Sequence, residues 1–124
     1  MERQEFFTAM EKVEAVRGAV GNDVDILIEG HGRFDIATGI KIANALKSFD
    51  PLFFEEPTPP DCFDAIAEVH RKSPVAIAGG ERLYSVTQMR EYLEKKCVDY
   101  VQPDVSHCGG ISALKKMSAL AETY

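Results

Sequence analysis

The chain has 124 residues, of which 45% are hydrophobic and 27% charged, the ordinary composition of one globular domain with its own core. Its formal net charge is −6 and it has no run of lysine or arginine, so nucleic acid and anionic membranes are not expected partners. No apolar run has membrane-spanning length, and no signal peptide is recognisable. The three cysteines lack CxxC pairing, which predicts free thiols in a cytoplasmic protein.

Hydrophobic spacing predicts a helix over 4–20 and then a buried strand over 24–28 that ends at Glu29. Asp35 and Asp61 are expected to cap the helices that follow them. Further along, the same reasoning predicts helices over 36–48, 62–71, 85–96 and 111–123, and strands over 52–55, 75–78 and 99–102.

This alternation of helices and strands indicates the fold class. The strands are apolar enough to be buried on both faces, which is typical of a parallel sheet with crossover helices. Residues 1–124 are therefore expected to form one α/β domain, with four strand–helix units preceded by a helix.

Three of the predicted strands lead into a glutamate. Glu29, Glu55 and Glu81 recur at an equal spacing of 26 residues. Sites in parallel α/β folds lie at the carboxyl ends of the strands, so these three carboxylates are expected to converge. Because converging carboxylates repel one another unless a cation lies among them, the spacing predicts a divalent metal site, with Mg²⁺ as the expected ion. The alternative is that each acid is only a helix cap or a solvated loop residue.

Two residues next to these glutamates have predictable orientations. His31 lies two positions after Glu29, so its side chain faces the same way if the strand geometry continues, which makes it a candidate general acid or base. Alternation turns Glu56 away from Glu55, so Glu56 is expected to form an outer contact or a structural ion pair.

The remaining candidates carry positive charge or an imidazole. Arg33 and Arg82 can each neutralise a substrate carboxylate, or can equally pair with a neighbouring glutamate. His107 is a candidate substrate-binding residue, although it can also orient the following helix. His70 is expected to lie on a helix surface.

Four segments together resemble the enolase superfamily, in its mandelate racemase group. They are EGHGRF at 29–34, FEEP at 54–57, GERLY at 80–84 and QPDVSHCGG at 102–110. The resemblance covers nearly the whole chain and is closest to acid-sugar dehydratases of the galactonate type. It implies a parallel (β/α) barrel of the TIM type, of which this chain would be about half, because a full barrel needs about 250 residues.

The resemblance also implies roles for individual residues. Glu29, Glu55 and Glu81 would bind Mg²⁺, which stabilises the enediolate formed when the α-proton of a sugar acid leaves. His31 matches the group that protonates the departing β-hydroxyl. Asp104 matches the acid that orients a catalytic histidine on the next strand, and the product would be a 2-keto-3-deoxy acid.

Two departures from the family pattern affect these expectations. Glu29 stands where many relatives carry aspartate, so the metal is expected to be slightly displaced. The strand that would carry the partner histidine of Asp104 is missing, so the isolated chain is expected to be inactive or nearly so. Half a barrel leaves sheet edges and apolar surface exposed, which predicts a homo-oligomer or aggregation.

Three alternative functions remain open at this point. A racemase or a cycloisomerase of the same superfamily would use the same metal site, although His31 favours dehydration because a departing hydroxyl needs an acid. A receiver-like signalling domain also binds Mg²⁺ through acids, but it needs a lysine after its last strand, where this chain has Gln102-Pro103-Asp104. The third alternative is a carbohydrate- or metal-binding module without turnover.

Overall fold

The structure is a computed structural model that describes residues 1–124 and contains five α-helices and four short β-strands. None of the helices combines the length and hydrophobicity that crossing a membrane would require. The helices are α1 (Arg3–Val20), α2 (Ile36–Leu46), α3 (Phe63–Lys72), α4 (Val86–Glu94) and α5 (Ile111–Ala121). The strands are β1 (Leu27–Glu29), β2 (Phe53–Glu55), β3 (Ile77–Gly79) and β4 (Tyr100–Val101), and a 3₁₀ turn at Lys47–Phe49 continues α2.

The four strands form one parallel sheet in the order β1-β2-β3-β4, which confirms the fold class predicted from the alternating pattern. Each strand pairs with the next one in the chain, and α2, α3 and α4 make the crossovers. The register sets Glu29 directly opposite Glu55 at the carboxyl ends of β1 and β2. The ladder continues one residue further, because the N–H of Gly30 donates to the carbonyl of Glu55 at 2.8 Å.

The elements begin and end close to the predicted residues, with two corrections. The strands are shorter than predicted, and the carbonyl of Val24 accepts a hydrogen bond from Arg17 instead of joining the ladder. Asp35 caps α2 as predicted, its carboxylate accepting the N–H of Thr38 at 2.8 Å. The predicted cap of α3 by Asp61 is wrong, because the residue before the first helical turn is Cys62, which makes no side-chain cap.

The core lies between the sheet and the helices. Phe54 and Ile77 are partners across β2 and β3, and both are almost fully buried against residues of the crossover helices such as Leu46 and Met89. Burying a side chain of this size stabilises the fold by roughly 1.5–3 kcal/mol. These side chains therefore attach the helices to one face of the sheet.

The other face of the sheet remains partly open. Strand alternation places Leu27, its partner Phe53 and, further along, Tyr100 on this face. The rings of Phe53 and Tyr100 approach to 5.5 Å between centroids, yet Leu27 is 55% exposed and Tyr100 44% exposed. This is the exposed apolar surface expected for part of a barrel.

Helix α1 has no fully buried residue, and it is held by the partly buried side chains of Phe6, Met10 and Val13 against the core and by one arginine. Arg17 lies in its last turn, and its guanidinium donates four hydrogen bonds to main-chain carbonyls at 2.7–2.9 Å. The accepting carbonyls belong to Gly21, Val24, Phe49 and Asp50. Arg17 thereby links α1 to the segments that precede β1 and β2.

We expect Gly30→Ala to destabilise the chain by about 1–3 kcal/mol, the usual cost of overpacking. A Cβ at this position would lie 2.8 Å from the carbonyl oxygen of Glu56 and 3.0 Å from that of Glu55, and main-chain atoms cannot move aside. Gly18→Ala is the matched control, because nothing lies within 4 Å of its added methyl group in α1. That control should be neutral or stabilising by up to about 1 kcal/mol. Urea unfolding of both variants measures the difference, and equal stabilities would contradict the close packing at Gly30.

Candidate active site

Three glutamates lie at the carboxyl ends of neighbouring strands. Glu29 and Glu55 are the last residues of β1 and β2, and they are direct partners in the register. Glu81 follows β3 by two residues, after Gly80 has turned the chain with a φ of +113°, a value that favours glycine. The sheet therefore places all three residues at its carboxyl edge, while the convergence of their carboxylates on one ion stays a prediction.

Burial and the neighbouring acids both oppose the ionisation of Glu55. Its pKa is raised above the usual glutamate range, first by burial and then by the negative charges of Glu29 and Glu81. A hydrogen bond with Gln102 opposes this shift. The central glutamate of the three thus lies in a region of excess negative charge.

The chemistry of these donors fits a hard dication such as Mg²⁺. Carboxylate oxygens are the ligands that Mg²⁺ prefers, and a dication would offset the repulsion that raises the pKa of Glu55. No three histidine, cysteine, aspartate or glutamate side chains in the structure stand close enough together to hold a metal ion. The assignment of Glu29, Glu55 and Glu81 as ligands therefore stays a prediction.

His31 is brought to Glu29 by a turn and not by the strand. The strand geometry assumed from the sequence does not continue, because His31 has a φ of +53° in the turn after β1. Its main-chain N–H donates to the Glu29 carboxylate, and its Nδ1 lies 4.0 Å from Oε1 of the same group. His31 consequently lies beside a candidate metal ligand, although for a different geometric reason.

Arg82 connects the loops that follow the first three strands. Its Nε lies 3.2 Å from Oε1 of Glu81 and 3.6 Å from Oε2 of Glu56. Its Nη2 lies 3.3 Å from Nε2 of His31. The sequence left open whether Arg82 binds substrate or pairs with a glutamate, and the structure contains the glutamate pairs.

Glu56 is the buried partner in this group. Its side chain is only 3% exposed, and burial raises its pKa even though Arg82 acts in the opposite direction. The ion pair expected for Glu56 is thus confirmed. Oε2 of Glu56 and the hydroxyl of Thr58 have no hydrogen-bond partner within the protein, and both residues line a cavity of about 10 Å³ with Arg82 and Tyr92. A polar cavity of this volume accommodates one bridging water molecule.

The other predicted site residues have different surroundings. The carboxylate of Asp104 accepts hydrogen bonds from the N–H and the hydroxyl of Ser106 at 2.7 and 2.5 Å, which lower its pKa. Nδ1 of His107 lies 3.1 Å from the carbonyl oxygen of Glu81, a group that only accepts, so this nitrogen donates. Arg33 is exposed, and its side chain forms no ion pair.

Two contacts were missed by the reading of the sequence. His70 is half-buried rather than on the surface, and its Nε2 lies 3.1 Å from Oδ1 of Asp99. Oδ2 of Asp99 accepts the N–H of Ile77 at 2.8 Å, so this pair supports the amino end of β3. Gln102 lies just after β4 and acts on Glu55 by lowering its pKa. The position of Gln102 at the end of a strand, like that of the glutamates, is the feature of the sequence that identifies it as a candidate site residue.

Comparisons with known proteins give one consistent result. The sequence model of the family described as "Enolase C-terminal domain-like" matches residues 3–124. The chain is 40% identical to D-gluconate dehydratase of Thermoproteus tenax over 98% of its own length and 24% of the relative's. It is 38% identical to D-gluconate/D-galactonate dehydratase of Picrophilus torridus, over 94% of its length and 30% of the relative's.

Solved structures are similar in the same way. A mandelate racemase/muconate lactonizing enzyme-like protein from Rubrobacter xylanophilus superposes with a TM-score of 0.96 and 44% identity, covering 99% of this chain and 31% of that one. L-Talarate dehydratase from Polaromonas sp. JS666, complexed with Mg and L-glucarate, gives a TM-score of 0.91 at 25% identity, covering 95% and 33%. The chain spans about a quarter to a third of these proteins, which confirms a fragment of a TIM-type barrel.

We expect the metal-free chain to lose stability as the pH rises through the titration of Glu55. The unfolded side chain has a pKa of about 4.3, while the folded one has a higher pKa, so the folded state binds the proton more tightly. This stabilising contribution is complete below about pH 4.3 and is lost as the pH rises through the folded value.

Thermal melting in chelator-treated buffer across this pH range measures the effect. Glu55→Gln should make the decline smaller, since glutamine does not titrate and only the share of Glu56 remains, whereas Glu11→Gln on the exposed side of α1 should leave it unchanged. A variant with glutamine at position 55 and the same pH slope as the wild type would contradict the prediction.

Proposed function

The chain belongs to the Enolase C-terminal domain-like family, and from this premise we propose that it is a segment of a Mg²⁺-dependent acid-sugar dehydratase. The observation that carries the proposal is that Glu29, Glu55 and Glu81 come at the carboxyl ends of three successive parallel strands, with Glu29 and Glu55 as direct register partners. The family membership also removes the receiver-like alternative, because receiver domains belong to a different fold.

Three of the four glutamates at this edge would act as metal ligands in the proposed site. Glu29, Glu55 and Glu81 would hold Mg²⁺, which when bound neutralises the charge that develops on a substrate carboxylate as its α-proton leaves. The carboxylates contribute hard oxygen ligands from three strands, so the backbone fixes their relative positions. Glu56 takes no part in this set, because its carboxylate is directed to Arg82.

His31 would supply the proton that the leaving group needs. A β-hydroxyl departs readily only when it is protonated, and His31 lies beside Glu29, at the edge where the proposed metal would bind. A racemase or a cycloisomerase has no such requirement, so the place of His31 favours dehydration. Asp104 would orient a histidine contributed from outside this chain.

The substrate would be a sugar acid, as the names of the relatives indicate. Arg33 has no intramolecular partner and would neutralise its carboxylate or bind its hydroxyl groups, together with His107. Arg82 adds positive charge to the same region while remaining paired with Glu56 and Glu81. The open sheet face around Leu27 is consistent with a homo-oligomer or with cover by further strands.

We expect Glu55→Gln to weaken Mg²⁺ binding at least about tenfold, that is by ~1.4 kcal/mol, since it removes the charge of the central ligand. Glu56→Gln is the matched control, because the same change one residue later removes a carboxylate that faces Arg82. Calorimetric titration of the 124-residue chain with MgCl₂ measures both affinities. Equal effects of the two substitutions would contradict the ligand assignment.

A chimera tests the reaction itself. We expect D-gluconate dehydratase of Thermoproteus tenax to retain measurable dehydration of D-gluconate when this chain replaces the matching 121 residues of that enzyme. Within the chimera, Glu55→Gln should abolish turnover. A folded chimera that binds Mg²⁺ but does not dehydrate D-gluconate would count against the proposed reaction.

In the same chimera, His31→Asn should depress dehydration at least about a hundredfold, the lower end of what general acid catalysis contributes. Exchange of the substrate α-proton with solvent deuterium, followed by NMR, should continue, because that step precedes departure of the hydroxyl. Loss of both activities would indicate that His31 does not serve the leaving group.

A further inference from the structure

The guanidinium of Arg82 is held in place by two carboxylates before it reaches His31. Glu56 is 3% exposed and lies 3.6 Å from Nε of Arg82, and Glu81 lies 3.2 Å from the same nitrogen. The planar, rigid fork of an arginine leaves its terminal nitrogens little freedom once Nε is fixed. Nη2 is consequently directed at Nε2 of His31, at 3.3 Å.

The chemistry of this contact defines the protonation pattern of the imidazole. Arginine has only donors, so Nε2 of His31 must be the acceptor of the hydrogen bond. A neutral imidazole carries one proton, and if Nε2 accepts then the proton is on Nδ1. In the structure Nδ1 is the nitrogen near the Glu29 carboxylate, at a distance of 4.0 Å from Oε1. An ionised carboxylate accepts hydrogen bonds and does not donate them, so it is compatible with a proton on Nδ1.

We infer that Arg82, braced by Glu56, is a positioning residue that keeps neutral His31 in the tautomer with its proton on Nδ1. The consequence for catalysis rests on the proposed function: an imidazolium at His31 that protonates a departing hydroxyl returns to this neutral tautomer by giving up the proton on Nε2, while the proton on Nδ1 stays. Arg82 thus acts through His31, and Glu56 acts through Arg82.

The two other histidines provide internal references for a tautomer measurement. Nδ1 of His107 donates to the carbonyl of Glu81, so His107 also carries its proton on Nδ1. Nε2 of His70 lies 3.1 Å from the Asp99 carboxylate, a group that accepts, so His70 is expected in the opposite tautomer, with its proton on Nε2. One spectrum of the chain therefore contains both patterns.

The experiment is a long-range ¹H–¹⁵N correlation spectrum of the 124-residue chain labelled with ¹⁵N-histidine, without metal, at about pH 9 so that imidazoles are neutral. Single substitutions of each histidine assign the three signals. We expect His31 to show the Nδ1–H pattern in the wild type. Arg82→Met, which keeps an unbranched stem but has no donor, should shift His31 toward the Nε2–H form that a free imidazole favours, and Glu56→Gln should cause a smaller shift in the same direction.

Arg90→Met is the matched control, because it removes the same charge from α4, where Arg90 pairs only with Glu94. It should leave the pattern of His31 unchanged, while His70 and His107 report that every variant is folded. A wild-type His31 with its proton on Nε2, or a pattern that Arg82→Met does not alter, overturns the inference. If Arg82→Met does not fold, the wild-type spectrum decides alone. Since neither Mg²⁺ nor sugar acid is present, failure here is distinct from failure of the proposed dehydration.

Discussion

The arrangement of the candidate site follows from parallel strand pairing, which places several glutamates of like charge at the carboxyl edge of the sheet. Parallel pairing in register sets Glu29 against Glu55, and the next strand brings Glu81 to the same edge. Burial, followed by the negative charges of Glu29 and Glu81, raises the pKa of Glu55, so the ionised form of this side chain is disfavoured. The fold therefore holds acidic side chains at one edge of the sheet where burial and like charge oppose ionisation, an arrangement that is common at functional sites.

The positive charge that the chain supplies does not remove this conflict. Arg82 forms ion pairs with Glu56 and Glu81 and approaches His31. It does not pair with Glu55, which is left without a cationic partner. Burial of Glu56 is tolerable because Arg82 is nearby, and Arg82 is in turn held by two carboxylates. The paired residues Arg82, Glu56 and Glu81 are therefore fixed beside Glu55, whose own charge is not neutralised by any cation of the chain.

Much of the fold and part of the site could be predicted from the sequence, because both depend on local periodicity. The equal spacing of Glu29, Glu55 and Glu81 reflects one strand–helix unit each, and parallel pairing converts that spacing into proximity. Contacts that depend on backbone turns were not predictable. His31 reaches Glu29 through a left-handed turn, and its contact with Arg82 joins residues 51 positions apart.

The errors have equally local causes. The N-terminus of α3 was assigned to Asp61 because aspartate is a common cap, whereas helical geometry begins one residue later than that assignment requires. His70 was placed on the surface because helical periodicity gives no information about Asp99, which approaches from the start of a different strand. Hydrophobic periodicity thus predicts where the helices and strands lie. It does not predict which side chains of different elements pair with each other.

The attachment of α1 through Arg17 has a consequence for how this region can diverge. All four acceptors are main-chain carbonyls, so the hydrogen bonds of the guanidinium depend on the course of the backbone. They do not involve the side chains at positions such as Val24 and Phe49. These hydrogen bonds therefore do not constrain the side chain at an exposed position such as Val24, whereas Phe49 is constrained separately because it packs against the core. Phe6, Met10 and Val13 also pack α1 against the core, but the four main-chain contacts depend on Arg17 alone, and no other side chain has the same fork of donors.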